Sequence, residues 1–334
     1  MLGARHIGKD TLIIIDPSGI QKLYARKMEH LAHVRDGDSG EIGNGYDICM
    51  GVACESGERK ITPLSLKLWS AQADGFKSRN DEILGVIDQI RAHSKQRGIY
   101  VMDRGGDGDR LFDALRERGL DYIVRLVGNR KLCHGKTSAL ASKLAESCKM
   151  THAETLTRET CDGKTTYELQ YGAMGVALPQ RPDVALRMVV VRGFGAQPML
   201  LLTTLADTSS RKALWQVVEG YVSRWRVKET IRFVKQSYNL EDIRVLRYQR
   251  LKNMLALLLA VVCFNCSWLA GRLRCEILAS NLTRSAKRIF GVSGFLYYAL
   301  ADGIGRIFSR HGRRKRKTRH DQDDPNPLGL VFLE

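Results

Sequence analysis

The sequence lacks both a signal peptide and a disulfide framework. Its eight cysteines are scattered, at positions 49, 54, 133, 148, 161, 263, 266 and 275, which predicts reduced thiols in an intracellular protein. Cys263 and Cys266 have the spacing of half a zinc site, but no second pair completes four ligands. We therefore expect neither a secreted protein nor a zinc protein.

Long hydrophobic runs are absent, with one exception at residues 254–270. This apolar run of 17 residues is at the short limit for a membrane span. It contains Asn265 and Ser267, and basic residues flank it on both sides, so no membrane orientation is favoured. A buried helix is the better interpretation, and we expect no membrane partner.

Acidic residues are scarce in one segment of an otherwise balanced chain. Residues 221–320 hold 22 Lys and Arg against 5 Asp and Glu, which accounts for the whole net charge of +17. A localised basic surface is typical of a polyanion partner. Nucleic acid is the leading candidate, an anionic membrane is the alternative, and ordinary solvated charge is the third interpretation.

The first 130 residues have the pattern of an α/β layer. Apolar runs predict strands at residues 11–16, 47–55, 61–70, 98–103 and 121–127. Helices are expected at residues 80–94, with Asn80 as N-cap, and at residues 110–118. The alternation of strands and helices predicts a mixed sheet.

The rest of the chain changes character twice. Residues 131–210 contain short Thr-, Tyr- and Val-rich runs separated by Gly and Pro, which predicts a mostly β insertion into a core begun by residues 1–130. Residues 211–310 are expected to be helical, beginning with a long helix from Ser209 or Ser210 to about Tyr238. Residues 311–334 form a basic and then acidic tail that we expect to be flexible.

Two acids follow short apolar runs that predict buried strands. Asp16 ends the run Leu-Ile-Ile-Ile, and Asp103 ends the run Ile-Tyr-Val-Met. Ligands bind at the carboxyl ends of strands in α/β sheets, and two carboxylates there could share divalent cations for phosphodiester chemistry. The alternative is that each aspartate simply caps a turn.

A second pattern is a stripe of one tyrosine and four cations. At about 100° per residue, five side chains fall within one arc of about 80° on a helix; they are Tyr221, Arg224, Lys228, Arg232 and Lys235. Such a stripe could contact DNA phosphates. The alternative is a solvated amphipathic face.

These residues also carry a family resemblance. The chain resembles insertion-sequence DDE transposases of the insertion-sequence-four group, whose mark is Tyr-x2-Arg-x3-Glu-x6-Lys on the helix with the third catalytic acid. Tyr221, Arg224 and Lys235 stand at that spacing. The regions around Asp16 and Asp103 are similar to the family's first and second acid regions, and the resemblance covers residues 11 to about 265.

The resemblance implies a ribonuclease-H-like fold and the cutting and joining of DNA at transposon ends. It implies two Mg²⁺ ions, for which Mn²⁺ could substitute, held by Asp16, Asp103 and a third acid. It also implies that Tyr221, Arg224 and Lys235 bind DNA at transposon ends, and the cationic stripe adds Arg232 as a predicted DNA contact. A homodimer in the DNA complex and a bacterial cytoplasmic, nucleoid-associated location follow from the same resemblance.

The chain departs from the family pattern at two places. The family's glutamate position is Lys228 here, and a lysine cannot ligate Mg²⁺. Glu229 is the nearby carboxylate and is our expected third ligand, provided that the helix is rotated or overwound. Asp16 also lies so near the N-terminus that a separate end-recognition domain has no room, and we expect a truncated catalytic core.

Three functional hypotheses follow. The first is an active transposase that uses Asp16, Asp103 and Glu229. The second is a non-catalytic DNA-binding remnant or inhibitor, which Lys228 and the short N-terminal region favour. The third is a ribonuclease-H-like nuclease unrelated to transposition.

Overall fold

A computed structural model describes residues 3–37, 40–58, 60–160, 163–205, 210–269, 297 and 301–306. Twelve strands are found in these ranges: β1 Leu12–Gln21, β2 Ala32–Arg35, β3 Ile42–Cys54, β4 Thr62–Trp69, β5 Ile99–Met102, β6 Asp121–Arg125, β7 Lys131–His134, β8 Thr137–Leu140, β9 His152–Thr160, β10 Gly163–Leu178, β11 Arg181–Arg192 and β12 Met199–Thr203. The helices described in the same ranges are α1 Arg79–His93, α2 Asp109–Glu117, α3 Ala141–Ser147, α4 Arg211–Val222, α5 Trp225–Ser237 and α6 Tyr248–Cys263.

The strands form one mixed sheet. Its order is β2-β3-β1-β5-β6-β12-β11-β10-β7-β8, with β4 beside β3 and β9 beside β10. The pairs β1–β5 and β5–β6 are parallel, whereas β1 pairs with β3 and β6 pairs with β12 in antiparallel fashion. The predicted α/β fold with a mixed sheet is confirmed for the described residues, and a ribonuclease-H-like core with a β-rich insertion and a helical C-terminal part stays a prediction.

Hydrophobic residues cover both faces of the central strands. On one face Leu12 and Ile14 pack with residues of α4, α5 and α6. On the other face Ile13 and Ile15 pack with residues of α1, α2 and α3. Because both faces of β1 are buried, its sequence is a continuous apolar run rather than an alternating one. The core therefore has two layers, one on each side of the sheet.

The structure corrects the predicted end of the first strand. We expected a turn at Pro17, but β1 continues to Gln21 as an antiparallel partner of β3. The parallel pairing with β5 ends at Ile14. Beyond that point β1 has lost its β5 partner, and a proline that lacks an N–H donor is tolerated where a strand edge is unpaired. Asp16 therefore lies within a strand rather than at its end.

The start of α1 differs from the prediction, whereas the start of α4 matches it. The first long helix is capped by Ser78, whose Oγ accepts a hydrogen bond from the Asp81 N–H at 3.2 Å, so Asn80 is not the N-cap. Ser210 caps α4, as predicted, with its Oγ accepting from the Ala213 N–H at 3.1 Å. At the start of α1, Ser78 takes the cap position two residues before Asn80, since both residue types are favoured N-caps.

The predicted long helix to Tyr238 is broken at Ser223 and Arg224. The N–H groups of Arg224, Arg226 and Val227 each bond to the carbonyl three residues back rather than four. This tightened turn separates α4 from α5. The five side chains of the predicted stripe are therefore not carried by one regular helix.

The apolar run near the C-terminus lies mostly in α6. In the described part of the chain, Tyr248–Cys266 is long and apolar enough to cross a membrane, by length and composition alone. Its residues Leu251, Leu255 and Leu258 are buried in the core on one face, and the helix packs beside β4. The predicted tail at residues 311–334 lies outside the described residues.

A buried lysine links the first strand to the helical part. Lys22 is 2% exposed, and its Nζ donates to the backbone carbonyl oxygens of Leu240, Glu241 and Ile243 at 2.6, 3.1 and 2.9 Å. Burial lowers the pKa of Lys22 to about 8. The ammonium satisfies carbonyls at the turn that follows α5, where a helix has unpaired acceptors.

Replacing Lys22 with methionine should destabilise the protein by about 3 kcal/mol. The substitution keeps the aliphatic volume but leaves buried carbonyl oxygens without a donor, and each such group is costly. Urea unfolding of the Lys22→Met variant measures the loss. Lys27→Met changes an exposed lysine in the same way and serves as the control. Equal stabilities for the two variants would show that the Lys22 contacts contribute nothing.

Candidate active site

Two aspartates lie on neighbouring strands at the same edge of the sheet. Strands β1 and β5 are parallel neighbours in which Ile14 is the partner of Val101. Asp16 follows Ile14 by two residues, and Asp103 follows Val101 by two residues. Because their positions are equivalent along parallel strands, their side chains project to the same side of the sheet.

One arginine lies between the two carboxylates. Arg224 Nη1 donates to Asp16 Oδ1 at 2.9 Å and lies 4.0 Å from Asp103 Oδ2. Arg224 stands at the start of α5, so the helical part of the chain closes over the sheet edge at this point. Both carboxylates are therefore within 4.0 Å of a single guanidinium nitrogen.

The orientation of Asp103 is fixed by the backbone that follows it. Its Oδ1 accepts a hydrogen bond from the Gly105 N–H at 2.8 Å and so caps a short 3₁₀ turn, Arg104–Gly106. Its other oxygen, Oδ2, is the one nearer to Arg224. Asp103 therefore does cap a turn, as the alternative interpretation predicted, but the cap uses only one of its two carboxylate oxygens.

The loop after Asp103 is anchored by two further aspartates. Asp107 and Asp109 both form ion pairs with Arg130, and the Asp107 Oδ2 also accepts from the Val127 N–H at 2.5 Å. The Arg130 guanidinium lies 5.2 Å from the centre of the Phe112 ring. Asp107 and Asp109 therefore hold the loop in place and do not face the two carboxylates that Arg224 contacts.

Burial dominates the electrostatics of Asp16. It raises the pKa of Asp16 to about 6, although Arg224 lowers that pKa; Asp103 raises it further, and Lys228 and Arg79 lower it. Carboxylates in apolar surroundings resist ionisation unless cations compensate. The positive charge of Lys228 is thus one of three that favour the ionised form of Asp16.

In the described part of the chain the predicted third ligand, Glu229, is not grouped with the two aspartates, and its role as a ligand stays a prediction. Glu229 Oε1 lies 3.7 Å from Arg232 Nη1, its partner along α5. Among the residues that the structure describes, no three Asp, Glu, His or Cys side chains are grouped to hold a metal ion. The turn before α5 is overwound, as the Glu229 hypothesis required, yet Lys228 is the α5 side chain that acts on Asp16. Asp16 and Asp103 are brought together, and Glu229 is not.

The residues present fit a divalent cation in part. Asp16 and Asp103 offer converging carboxylate oxygens, which Mg²⁺ and Mn²⁺ prefer. Three cations, Arg224, Lys228 and Arg79, act on the charge of Asp16 and oppose a metal beside it. Arg224 Nε is buried and, within the described part of the chain, has no hydrogen-bond partner. The pair could hold one cation, but the three-acid set for two ions is not formed.

The four residues predicted to bind DNA do not share one exposed surface. Tyr221 is 5% exposed and belongs to the core, with the Arg224 guanidinium 5.7 Å from its ring centre. Lys235 forms ion pairs with Asp36 at 3.6 Å and Glu241 at 3.2 Å. The Arg232 side chain is half exposed. The predicted stripe is wrong as a surface, and contact of these residues with DNA stays a prediction.

Sequence reasoning missed one cation of the site and did not predict the position of another. Arg79, the first residue of α1, acts on both Asp16 and Asp47, and no local pattern marks it. Lys228 was predicted both as part of the cationic stripe and as a departure from the family pattern. Its proximity to Asp16 depends on how α5 crosses the sheet, which a residue pattern does not give.

Comparison with known proteins places these features in a family. The family model described as the transposase DDE domain matches residues 59–264, a stretch that includes Asp103 and all of α5. The chain belongs to this transposase family. Asp16 lies before the matched stretch, and no curated protein sequence matches the chain.

Two solved structures match the chain at low identity. One is a piggyBac transposase synaptic complex with hairpin DNA, with 10% identity and a TM-score of 0.45, covering 92% of this chain. This chain spans 55% of the length of that one. The other is the NurA nuclease from Sulfolobus solfataricus, with 9% identity and a TM-score of 0.32, covering 77% of this chain and 86% of that one.

Proposed function

We propose that this chain is a DNA transposase that cuts the ends of a mobile DNA element and joins them to target DNA. The observation that carries the proposal is the convergence of Asp16 and Asp103 on neighbouring parallel strands of a chain in the transposase DDE family. The excess positive charge of residues 221–320 supports a DNA partner. We further propose that the chain acts on DNA as a homodimer, in the cytoplasm at the nucleoid.

The reaction consists of a phosphodiester hydrolysis followed by a transesterification. In the first, a water oxygen attacks the phosphorus at the element's end, and the 3′ oxygen leaves as a hydroxyl. In the second, that hydroxyl attacks a target phosphodiester and displaces another 3′ oxygen. A divalent cation, when bound, would supply Lewis-acid activation of the attacking and leaving oxygens.

The residues of this chain divide the remaining work. Asp16 and Asp103 would hold the cation. The ionised Asp16 carboxylate would then be neutralised by the cation instead of by Arg224. Arg224 would then be free to donate to a phosphate oxygen, as its unpaired Nε suggests. Glu229 remains a candidate third ligand only if α5 moves relative to the sheet.

A second function is supported by one specific observation. Lys228, which stands where the resembling transposases have a glutamate, acts on Asp16 together with Arg224 and Arg79, so three cations surround the two carboxylates. This balance favours a non-catalytic DNA-binding protein that competes for ends or pairs with active subunits. The third hypothesis, an unrelated nuclease, differs in needing no particular DNA ends.

The assay that separates these functions uses supercoiled plasmids with and without the element's terminal repeats. A transposase nicks only the repeat-bearing plasmid, in Mg²⁺ or Mn²⁺ and not in EDTA. A non-catalytic binder shifts the same DNA in a gel without nicking it. Nicking of both plasmids indicates a general nuclease, and failure to bind or nick either plasmid refutes the proposal.

A further inference from the structure

Arg125 lies next to Asp103 at the edge of the sheet. Strands β5 and β6 are parallel, with Met102 the partner of Val124. Asp103 and Arg125 are the residues that follow this last pair, one on each strand. Neighbouring strands are about 4.8 Å apart, so the two backbones are adjacent at this level.

The alternation of side chains places Arg125 on the same face as the aspartates. Ile123 and Val101 belong to the core cluster that also contains Ile14. Arg125, Asp103 and Asp16 each follow one of these residues by two positions, and residues two apart on a strand share a face. The edge therefore presents Asp16, Asp103 and Arg125 in that order along β1, β5 and β6.

The two arginines at this edge differ in their contacts. Arg224 is turned towards the carboxylates, and its side chain is 12% exposed. Arg125 is partly exposed, and within the described residues its side chain enters no ion pair or hydrogen bond. Five N–H donors of Arg125 are therefore available at the edge where the reaction would occur.

We propose that Arg125 binds a DNA phosphate beside Asp103. The inference rests on the proposed function, because it assigns a contact to DNA bound at the same edge. A planar guanidinium donates two parallel hydrogen bonds to a phosphate, which gives orientation as well as attraction. Arg125 would thus position the phosphodiester from the sheet side, opposite the α5 side from which Arg224 and Lys228 approach.

The first test is the salt dependence of DNA binding, measured without metal so that no cleavage is needed. We expect Arg125→Ala to reduce the slope of log K against log salt by about 0.9, the contribution of one phosphate contact. Arg125→Lys should keep the slope. Arg116→Ala is the matched control, because Arg116 is exposed on α2, which packs on the other face of the sheet, and it should leave the slope unchanged.

The second test places the phosphate beside Asp103. Asp103→Asn removes a negative charge and should tighten binding more strongly in wild type than in Arg125→Ala, so the two changes are not additive. Additive effects would overturn the placement, and a slope in Arg125→Ala equal to that of wild type would overturn the contact itself. If wild type binds no DNA at any salt concentration, the proposed function fails, and the inference fails with it.

Discussion

Changing Lys228 to glutamate should raise metal-dependent DNA cleavage on the order of a hundredfold. Lys228 acts on Asp16, so its positive charge opposes a cation held by Asp16 and Asp103. At an effective dielectric of about 20, a like-charge contact near 4 Å costs about 4 kcal/mol, and the exposure of Lys228 reduces that cost. The substitution removes the opposing charge and adds a third carboxylate at one step. Plasmid nicking rates in Mg²⁺ and Mn²⁺ measure the effect.

Two companion variants make that result specific. Glu229→Ala should change cleavage little, because Glu229 is paired with Arg232 rather than with the aspartates. Lys212→Glu makes the same charge change at an exposed position of α4 and controls for altered DNA attraction. If Glu229→Ala abolishes cleavage while Lys228→Glu has no effect, Glu229 is the third ligand, as the sequence alone suggested.

Local sequence patterns predicted those parts of the site that depend on single strands. The apolar runs before Asp16 and Asp103 showed that each acid lies next to a buried strand, and the run of strands and helices predicted a mixed sheet. Neighbouring parallel strands then bring the two acids together without any further signal. Such features are local, so the chain needs only its hydrophobic pattern to specify them.

The parts that sequence could not predict depend on contacts between distant segments. Tyr221 looks like a surface residue on a helical wheel, yet α4 packs that side chain into the core. Gly220 allows this close approach, since a Cβ there would lie 3.2 Å from side-chain atoms of Ile123 and Leu12. The insertion is likewise joined to the core sheet, because β12 pairs with β6. Pairing over such separations depends on tertiary packing rather than on spacing.

Replacing either aspartate with asparagine should abolish cleavage, by about a thousandfold or more. An amide cannot supply the negative charge that a divalent cation needs, and each 1.36 kcal/mol of lost transition-state stabilisation is tenfold in rate. Asp109→Asn is the matched control for Asp103→Asn, because Asp109 lies in the same loop and pairs with Arg130. Its cleavage rate should stay near that of wild type. If Asp109→Asn loses cleavage while Asp16→Asn and Asp103→Asn keep it, the catalytic carboxylate lies in the loop after Asp103 and not at the ends of the strands.

Asp16→Asn should also make the folded protein more stable at neutral pH. Burial raises the pKa of Asp16 to about 6 from 3.8, so between these values the folded state binds more protons than the unfolded state. Stability therefore falls as pH rises through that window, and ionised Asp16 costs up to about 3 kcal/mol above pH 6. Asparagine removes this cost, although it also weakens the contact with Arg224. Urea unfolding should show the variant more stable at pH 7.5, with a difference in stability that shrinks towards pH 4. The cleavage rate of the wild type should increase as pH rises through about 6. A variant less stable than wild type at both pH values would show that the Arg224 ion pair outweighs burial at this site.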